Sequence, residues 1–127
     1  MNRKPIITSI KTYYLTKSEK KLFKKEKPWG IILFKRNIKS FQQVKLLTES
    51  IRKTIRDPYY PILVDEEGGK VSRFSNLFNS KEFSQNFFGN LFEKDKRNGK
   101  VIYQYYQTFL FRFLEFCLNR GNSRGHF

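Results

Sequence analysis

Three consecutive carboxylates at 65–67 stand out in a strongly basic chain, within the stretch PILVDEEGGKVSRF. Asp65 follows directly on a short apolar run, and Gly68-Gly69 separates it from Arg73. Glycine adopts positive φ without a Cβ penalty, so the chain can turn there and bring Arg73 back toward Asp65. A carboxylate accepts hydrogen bonds from hydroxyl groups and a guanidinium donates them to oxygens, so this pair could bind a polyhydroxylated ligand.

A purely structural interpretation of the same residues stays open. An acid at the end of a strand, followed by two glycines, often forms only a turn, with Asp65 or Glu67 accepting from backbone amides. Either carboxylate could also pair with Lys35 or Arg36 at the end of a neighbouring strand. We expect Glu66 to be solvated and Glu67 to be structural.

Two short apolar runs, at 31–34 and 61–64, are the elements that would position Asp65. Neither run alternates with polar residues, which is typical of strands buried on both faces. Between them, a capping box of Ser40 and Gln43 predicts a helix. The apolar face of this helix recurs at spacings of 3 or 4 residues, through Val44, Leu47, Ile51 and Ile55.

Strand, helix and strand in this order predict a βαβ unit with parallel strands, so the expected fold class is α/β. Ligands bind outside the carboxyl ends of the strands in such folds, where Asp65 would lie. An earlier capping box, Thr16 and Glu19, predicts a short helix that ends before Pro28. Its solvated face would consist of Lys20, Lys21, Lys24 and Lys25.

The second half of the chain has weaker signals. Residues 75–90 lack a clean period, which predicts a long loop that includes one helical turn. A further helix is predicted from Lys94, with an apolar face of Ile102, Tyr106, Phe109 and Phe113. Beyond Thr108 the sequence is first apolar nearly all round and then polar and glycine-rich, so 109–127 is expected to be an atypical tail.

The composition indicates one small domain of 127 residues with a formal charge of +15, from 26 Lys and Arg against 11 Asp and Glu. Clustered Lys and Arg favour nucleic-acid binding. The absence of alanine and the abundance of Lys, Asn, Ile and Phe favour a plainer interpretation of the positive charge, a bias toward A and T in the codons.

A single cysteine, Cys117, excludes an internal disulfide and makes a cytoplasmic location the expectation. No membrane segment is predicted, and the lone His126 gives no metal site.

The segments PWGIILFKRNI and ILVDEEGGKVSRF, with a helix between them, resemble the N-terminal part of bacterial β-N-acetylhexosaminidases of glycoside hydrolase family 3. The resemblance covers about residues 15–108 of 1–127. It implies a (β/α)8 barrel of the TIM type, of which this chain would be an N-terminal fragment. It also implies hydrolysis of terminal non-reducing N-acetylglucosamine from muropeptide-like saccharides, in cytoplasmic recycling of the peptidoglycan cell wall, without a cofactor.

The resemblance also implies roles for single residues. Asp65 and Arg73 match the substrate-binding residues of the family, and the loop residues Arg36 and Asn37 match a structural segment after the first strand. The supporting turn matches Glu67, Gly68 and Gly69. The family usually reads Asp-Gln-Glu-Gly-Gly-Arg here, so this chain departs from it at Glu66 and Lys70.

No catalytic residue is expected on this chain. The family's aspartate nucleophile and its Asp-His acid/base pair are expected beyond the end of the sequence, and the unusual segment 109–127 suggests a truncated or frame-shifted product. We therefore predict no turnover by the chain alone. Two alternatives stay open: a small basic nucleic-acid-binding protein that uses its lysine-rich helix, and a non-functional translation product.

Overall fold

The computed structural model describes residues 2–79 and 83–118, with side chains described as far as residue 110. Within these residues the chain forms an α/β structure of three strands and four helices. The strands are β1 (Lys4–Thr8), β2 (Pro28–Leu33) and β3 (Ile62–Val64), and the helices are α1 (Lys17–Glu26), α2 (Phe41–Ile55), α3 (Gln85–Lys94) and α4 (Lys96–Leu118). The side chains of Cys117 and Phe113, His126 and the tail at 119–127 lie outside this description.

The sheet has the order β1-β2-β3, and both pairs of strands are parallel. This confirms the βαβ unit predicted for β2, α2 and β3, in which Ile31 pairs with Ile62. Strand β2 begins at Pro28, earlier than predicted, because proline is tolerated at the first position of a strand. Strand β1 was not predicted, since its five residues are mostly exposed and it forms by pairing with β2.

Helix α1 begins as predicted. The Thr16 side chain accepts from the backbone N–H of Glu19, and the Glu19 carboxylate accepts from the backbone N–H of Thr16, which completes the capping box. Phe23 is the buried residue of this helix. The four lysines of the predicted solvated face, Lys20, Lys21, Lys24 and Lys25, are all exposed.

The cap of α1 makes a testable contribution to stability. Burial acts to raise the pKa of Glu19, but hydrogen bonds from Thr16 and from the backbone of Lys11 outweigh it, so the pKa lies below its ordinary value of 4.5. The stabilisation is therefore present above that value and is lost as the pH falls below it. We expect Thr16→Ala to lower the free energy of unfolding by about 1 kcal/mol at neutral pH, and by less in acid.

Urea unfolding at pH 7 and at about pH 3.5 measures this effect. Thr16→Ser, which keeps the hydroxyl, is the matched control and should retain most of the stability. An equal loss for Thr16→Ala at both pH values would contradict the assigned role of Glu19.

Helix α2 has only half of its predicted capping box. The Ser40 side chain accepts from the backbone N–H of Gln43, as expected. The Gln43 side chain does not return to Ser40: it accepts from the backbone N–H of Lys39 and donates to the carbonyl of Tyr13. This glutamine therefore ties the start of α2 to the loop after β1. The predicted apolar face is confirmed, because Val44, Leu47, Ile51 and Ile55 are all buried.

Helices α1 and α2 cover one face of the sheet. Ile31, Leu33 and Ile62 point into a core that also contains Phe23 and the α2 residues Leu47 and Ile51. The pairing places Ile32 beside Leu63 and Ile7 beside Gly30, on the opposite face. There Ile7 is 50% exposed, and Ile32 and Leu63 are only partly buried. The exposure of this apolar face is unusual, since parallel sheets are normally covered on both sides.

The predicted loop at 75–90 is wrong in its second half, where α3 begins at Gln85. The Ser84 side chain caps this helix by accepting from the backbone N–H of Phe87. Asn and Gly weaken its helical pattern, but Phe88 is buried against Tyr103 and Tyr106 of α4, with ring centroids 5.1 and 5.3 Å away. Tertiary packing therefore decides the conformation of this segment.

Helix α4 begins two residues later than predicted, after Asp95, whose carboxylate accepts from the backbone N–H of Asn98. It packs against α2 and α3. The predicted apolar face is only partly covered, since Ile102 and Phe109 are exposed. In the described ranges, no helix combines the length and the apolar character needed to cross a bilayer.

Candidate sugar-binding site

The candidate site lies at the carboxyl ends of β2 and β3. Because these strands are parallel, the residues that follow them, Phe34 and Asp65, leave the sheet at the same edge. The Asp65 side chain is 56% exposed. A carboxylate at this edge therefore has lone pairs available to a ligand.

The glycine turn brings Arg73 back to Asp65. Gly68 and Gly69 both have positive φ, at 72° and 62°, and an antiparallel bridge joins Gly68 to Val71. Arg73 Nε donates to the backbone carbonyl of Asp65 at 3.2 Å, and Arg73 Nη2 lies 3.8 Å from Asp65 Oδ2. The two charges are adjacent, but the carboxylate is not closed off by a short bidentate pair.

Glu66 holds this turn, so its predicted solvation was wrong. One carboxylate oxygen accepts from the backbone N–H of Gly68 at 3.0 Å. The other accepts from the backbone N–H groups of Arg73 at 2.6 Å and of Phe74 at 3.2 Å. The neighbouring Glu67, expected to be structural, is exposed. After the two glycines the chain returns, so the N–H groups of Arg73 and Phe74 come within reach of Glu66, and a linear sequence does not reveal which of the two glutamates meets them.

Phe34 completes the surroundings of Arg73, although it was not predicted as part of the site. The guanidinium carbon of Arg73 lies 5.6 Å from the centroid of the Phe34 ring, and that of Arg36 lies 4.8 Å from it. Cation–π contacts of this kind contribute about 0.5–1 kcal/mol at exposed sites. The signal available in the sequence was an aromatic residue directly after β2, at the edge where Asp65 emerges.

Arg36 and Asn37 tie this edge to the loop after β1. Arg36 donates to the Ser9 hydroxyl at 3.0 Å and to the carbonyl of Ile10. Asn37 is fully buried: its side chain accepts from the backbone N–H of Phe34 and donates to the carbonyls of Ile10 and Thr12. These contacts are to the protein's own backbone, so Asn37 fixes the loop that carries Phe34.

Tyr106 from α4 lies beside the glycine turn. Its hydroxyl is 3.6 Å from the position that a Cβ on Gly68 would occupy, and its ring stacks on Phe83 at 5.1 Å. Burial raises the pKa of the Tyr106 hydroxyl, and the negative charge of Glu66 adds to this effect. Tyr106 is therefore a neutral packing residue at ordinary pH.

This arrangement suits binding better than bond cleavage. Retaining glycosidases need two carboxyl groups about 5–5.5 Å apart, on the two sides of the scissile bond. Asp65, Glu66 and Glu67 are consecutive, and Glu66 is already occupied by backbone amides. Among the residues whose placement is described, no group of three or more His, Cys, Asp or Glu side chains could hold a metal ion.

Comparison with curated proteins shows similarity to bacterial glycosidases. A β-hexosaminidase of Neisseria gonorrhoeae is 39% identical over 93 residues, which is 73% of this chain and 25% of that protein. A β-hexosaminidase of Chromobacterium violaceum is 38% identical over 76 residues, 60% of this chain and 21% of that protein. The chain thus spans about a quarter of the length of these relatives. No protein-family model matches it.

Solved structures agree with the sequence relatives. NagZ from Neisseria gonorrhoeae in complex with zinc ion has a TM-score of 0.61 and 34% identity, and the match covers 73% of this chain and 27% of that one. The same enzyme in complex with N-trifluoroacetyl-D-glucosamine has a TM-score of 0.51 and 35% identity, covering 60% and 21%. The resemblance to bacterial β-hexosaminidases is confirmed, and these relatives do not support the nucleic-acid alternative.

Proposed function

We propose that the chain carries part of the binding site for a terminal N-acetylglucosamine residue, because it is a homologue of one part of the bacterial β-hexosaminidases. The parent activity is that of a β-N-acetylhexosaminidase, a glycoside hydrolase of family 3. We extend this to hydrolysis of muropeptide-like saccharides during cytoplasmic recycling of peptidoglycan. The observation that carries the proposal is the return of Arg73 to Asp65 across the glycine turn, within a segment similar to these enzymes.

Asp65 and Arg73 have complementary roles in the proposed site. The Asp65 carboxylate accepts hydrogen bonds from sugar hydroxyls, and the Arg73 guanidinium donates to ring or hydroxyl oxygens. Each charge-assisted hydrogen bond contributes about 1.5–3 kcal/mol when shielded from water. Because Asp65 is half exposed here, the isolated chain should bind the sugar weakly, with a dissociation constant on the order of millimolar.

We also propose that the sheet is one section of a (β/α)8 barrel. Three observations support this: the strands β1, β2 and β3 are parallel, the helices α1 and α2 lie on one face, and the other face is apolar and partly exposed. The interior of such a barrel is filled by branched aliphatic residues, which Ile7, Ile32 and Leu63 would supply. The active site of these barrels is at the carboxyl ends of the strands, where Asp65 and Arg73 lie.

A chimera tests the proposed function. Residues 15–108 replace the matching segment of the Neisseria gonorrhoeae relative, and hydrolysis of a chromogenic β-N-acetylglucosaminide is measured. We expect activity, with kcat/KM lowered about 10- to 100-fold by Asp65→Asn or Arg73→Lys, since each removes a charge-assisted contact. Lysine cannot reproduce the planar donor array of arginine.

Glu49→Gln is the matched control, because Glu49 is exposed on α2 and carries the same charge. This variant should leave kcat/KM unchanged. The isolated chain, without the rest of the barrel, should show no turnover. A folded chimera whose activity is indifferent to both Asp65→Asn and Arg73→Lys would refute the assigned sugar contacts.

A further inference from the structure

We propose that Glu66 is the positioning residue of the sugar site, because its carboxylate fixes the backbone of Arg73 relative to Asp65. The effect of Glu66 on sugar binding rests on the proposed function. The hydrogen bonds of Glu66 to the backbone can be tested without any sugar. It assigns to the middle carboxylate of 65–67 a task that neither neighbour performs.

The two oxygens of Glu66 bridge the two limbs of the glycine turn. Oε1 accepts from Gly68 on the outgoing limb, and Oε2 accepts from Arg73 and Phe74 on the returning limb. The side chain is partly buried, which strengthens such charge-assisted bonds. Three backbone donors therefore converge on one carboxylate, and the separation of the limbs is set by its geometry.

The returning limb is also anchored to the core. Phe74, the residue after Arg73, is 1% exposed and belongs to a cluster with Ile38 and Val44. Its ring stacks on Phe78, with centroids 5.8 Å apart. Glu66 thus joins the glycine turn to a fixed part of the structure, and Arg73 lies at the junction.

Fixing the backbone of Arg73 matters because its side chain is long and has many rotamers. From the observed backbone position the guanidinium reaches both the carbonyl of Asp65 and the ring of Phe34. A shift of the returning limb would break both contacts and would leave Arg73 to be ordered by the sugar. Weaker binding follows, because ordering such a side chain costs conformational entropy.

In this chain both oxygens of Glu66 face donors, although the family that the chain resembles usually has glutamine at this position. A glutamine has one acceptor oxygen, so its amide group would face either Gly68 or the pair Arg73 and Phe74, and one limb would lose its bonds. An aspartate keeps the charge but is one methylene shorter, so it cannot reach both limbs. These two substitutions separate the effect of charge from the effect of bridging.

NMR of the labelled full chain tests the inference. The readouts are the amide hydrogen exchange of Gly68, Arg73 and Phe74, and the Nε–H resonance of Arg73. In Glu66→Gln and Glu66→Asp we expect exchange to accelerate about 10-fold or more in at least one limb, together with a shift of the Arg73 Nε–H signal. Glu49→Gln should match the parent chain in every readout.

Titration with N-acetylglucosamine separates this inference from the proposed function. If the parent chain does not bind the sugar, the proposed site fails, while the exchange data still decide the role of Glu66. Parent-like exchange in both variants would overturn that role. If neither variant folds, the parent chain alone decides the role of Glu66. Protection of the amides of Gly68, Arg73 and Phe74 from exchange would support that role, and unprotected exchange of all three would overturn it.

Discussion

Replacing Asn37 by alanine is expected to lower the free energy of unfolding by about 2–4 kcal/mol, because the change removes three hydrogen bonds between a fully buried side chain and the backbone. The N–H of Phe34 loses its side-chain acceptor and the carbonyl of Thr12 loses the Asn37 donor, while the carbonyl of Ile10 retains its bond from Arg36 Nε at 3.3 Å. Asn37 itself has no exposed surface in the folded protein. Urea unfolding followed by circular dichroism measures the loss.

Asn2→Ala is the matched control, since Asn2 is exposed, and it should change the stability by less than about 0.5 kcal/mol. Asn37→Asp should also be strongly destabilising, because a carboxylate accepts from Phe34 but cannot donate to two carbonyls. A loss below about 1 kcal/mol for Asn37→Ala would show that the loop after β2 is not held by this side chain.

Gly68→Ala is expected to cost about 2–4 kcal/mol and to displace Arg73 from Asp65. Gly68 has φ of 72°, a conformation that alanine adopts only with strain. A Cβ there would also lie 2.4 Å from the carbonyl oxygen of Phe83, which is backbone and cannot move aside cheaply. Urea unfolding gives the cost, and the Arg73 Nε–H resonance reports the displacement.

The chain supplies its own control for this substitution. Gly89 lies inside α3, and no heavy atom lies within 4 Å of the position of an added Cβ. Gly89→Ala should therefore stabilise the protein by about 0.5–1 kcal/mol, as expected for glycine to alanine in a helix. Similar effects for the two substitutions would mean that the close approach of Phe83 to the turn does not exist in solution.

The elements with strong local signals were predictable from the sequence. Thr16 and Glu19 bond to each other's backbone within four residues, so the start of α1 depends on little else. The runs that form β2 and β3 are apolar throughout, and the parallel arrangement follows from the helix between them. Strand β1 and helix α3 were missed because their conformations depend on distant partners, β2 for the first and α4 for the second.

The residue types of the candidate site could be predicted from the sequence, but the contacts that each residue makes could not. Asp65 and the glycine turn could be placed at the end of a strand, and the approach of Arg73 followed from two positive φ values. Whether Glu66 or Glu67 turns inward depends on the path of the backbone after Asp65, which no local pattern encodes. The contact of Phe34 with Arg73 depends likewise on the register between β2 and β3.

Titration of the labelled chain with N-acetylglucosamine tests the central claim most directly. We predict saturable changes at Asp65 and at the Nε–H of Arg73, with a dissociation constant on the order of millimolar, lost in Asp65→Asn and retained in Glu49→Gln. Changes that are absent up to about 50 mM sugar, or that survive in Asp65→Asn, would contradict the assignment of this edge as part of a sugar-binding site.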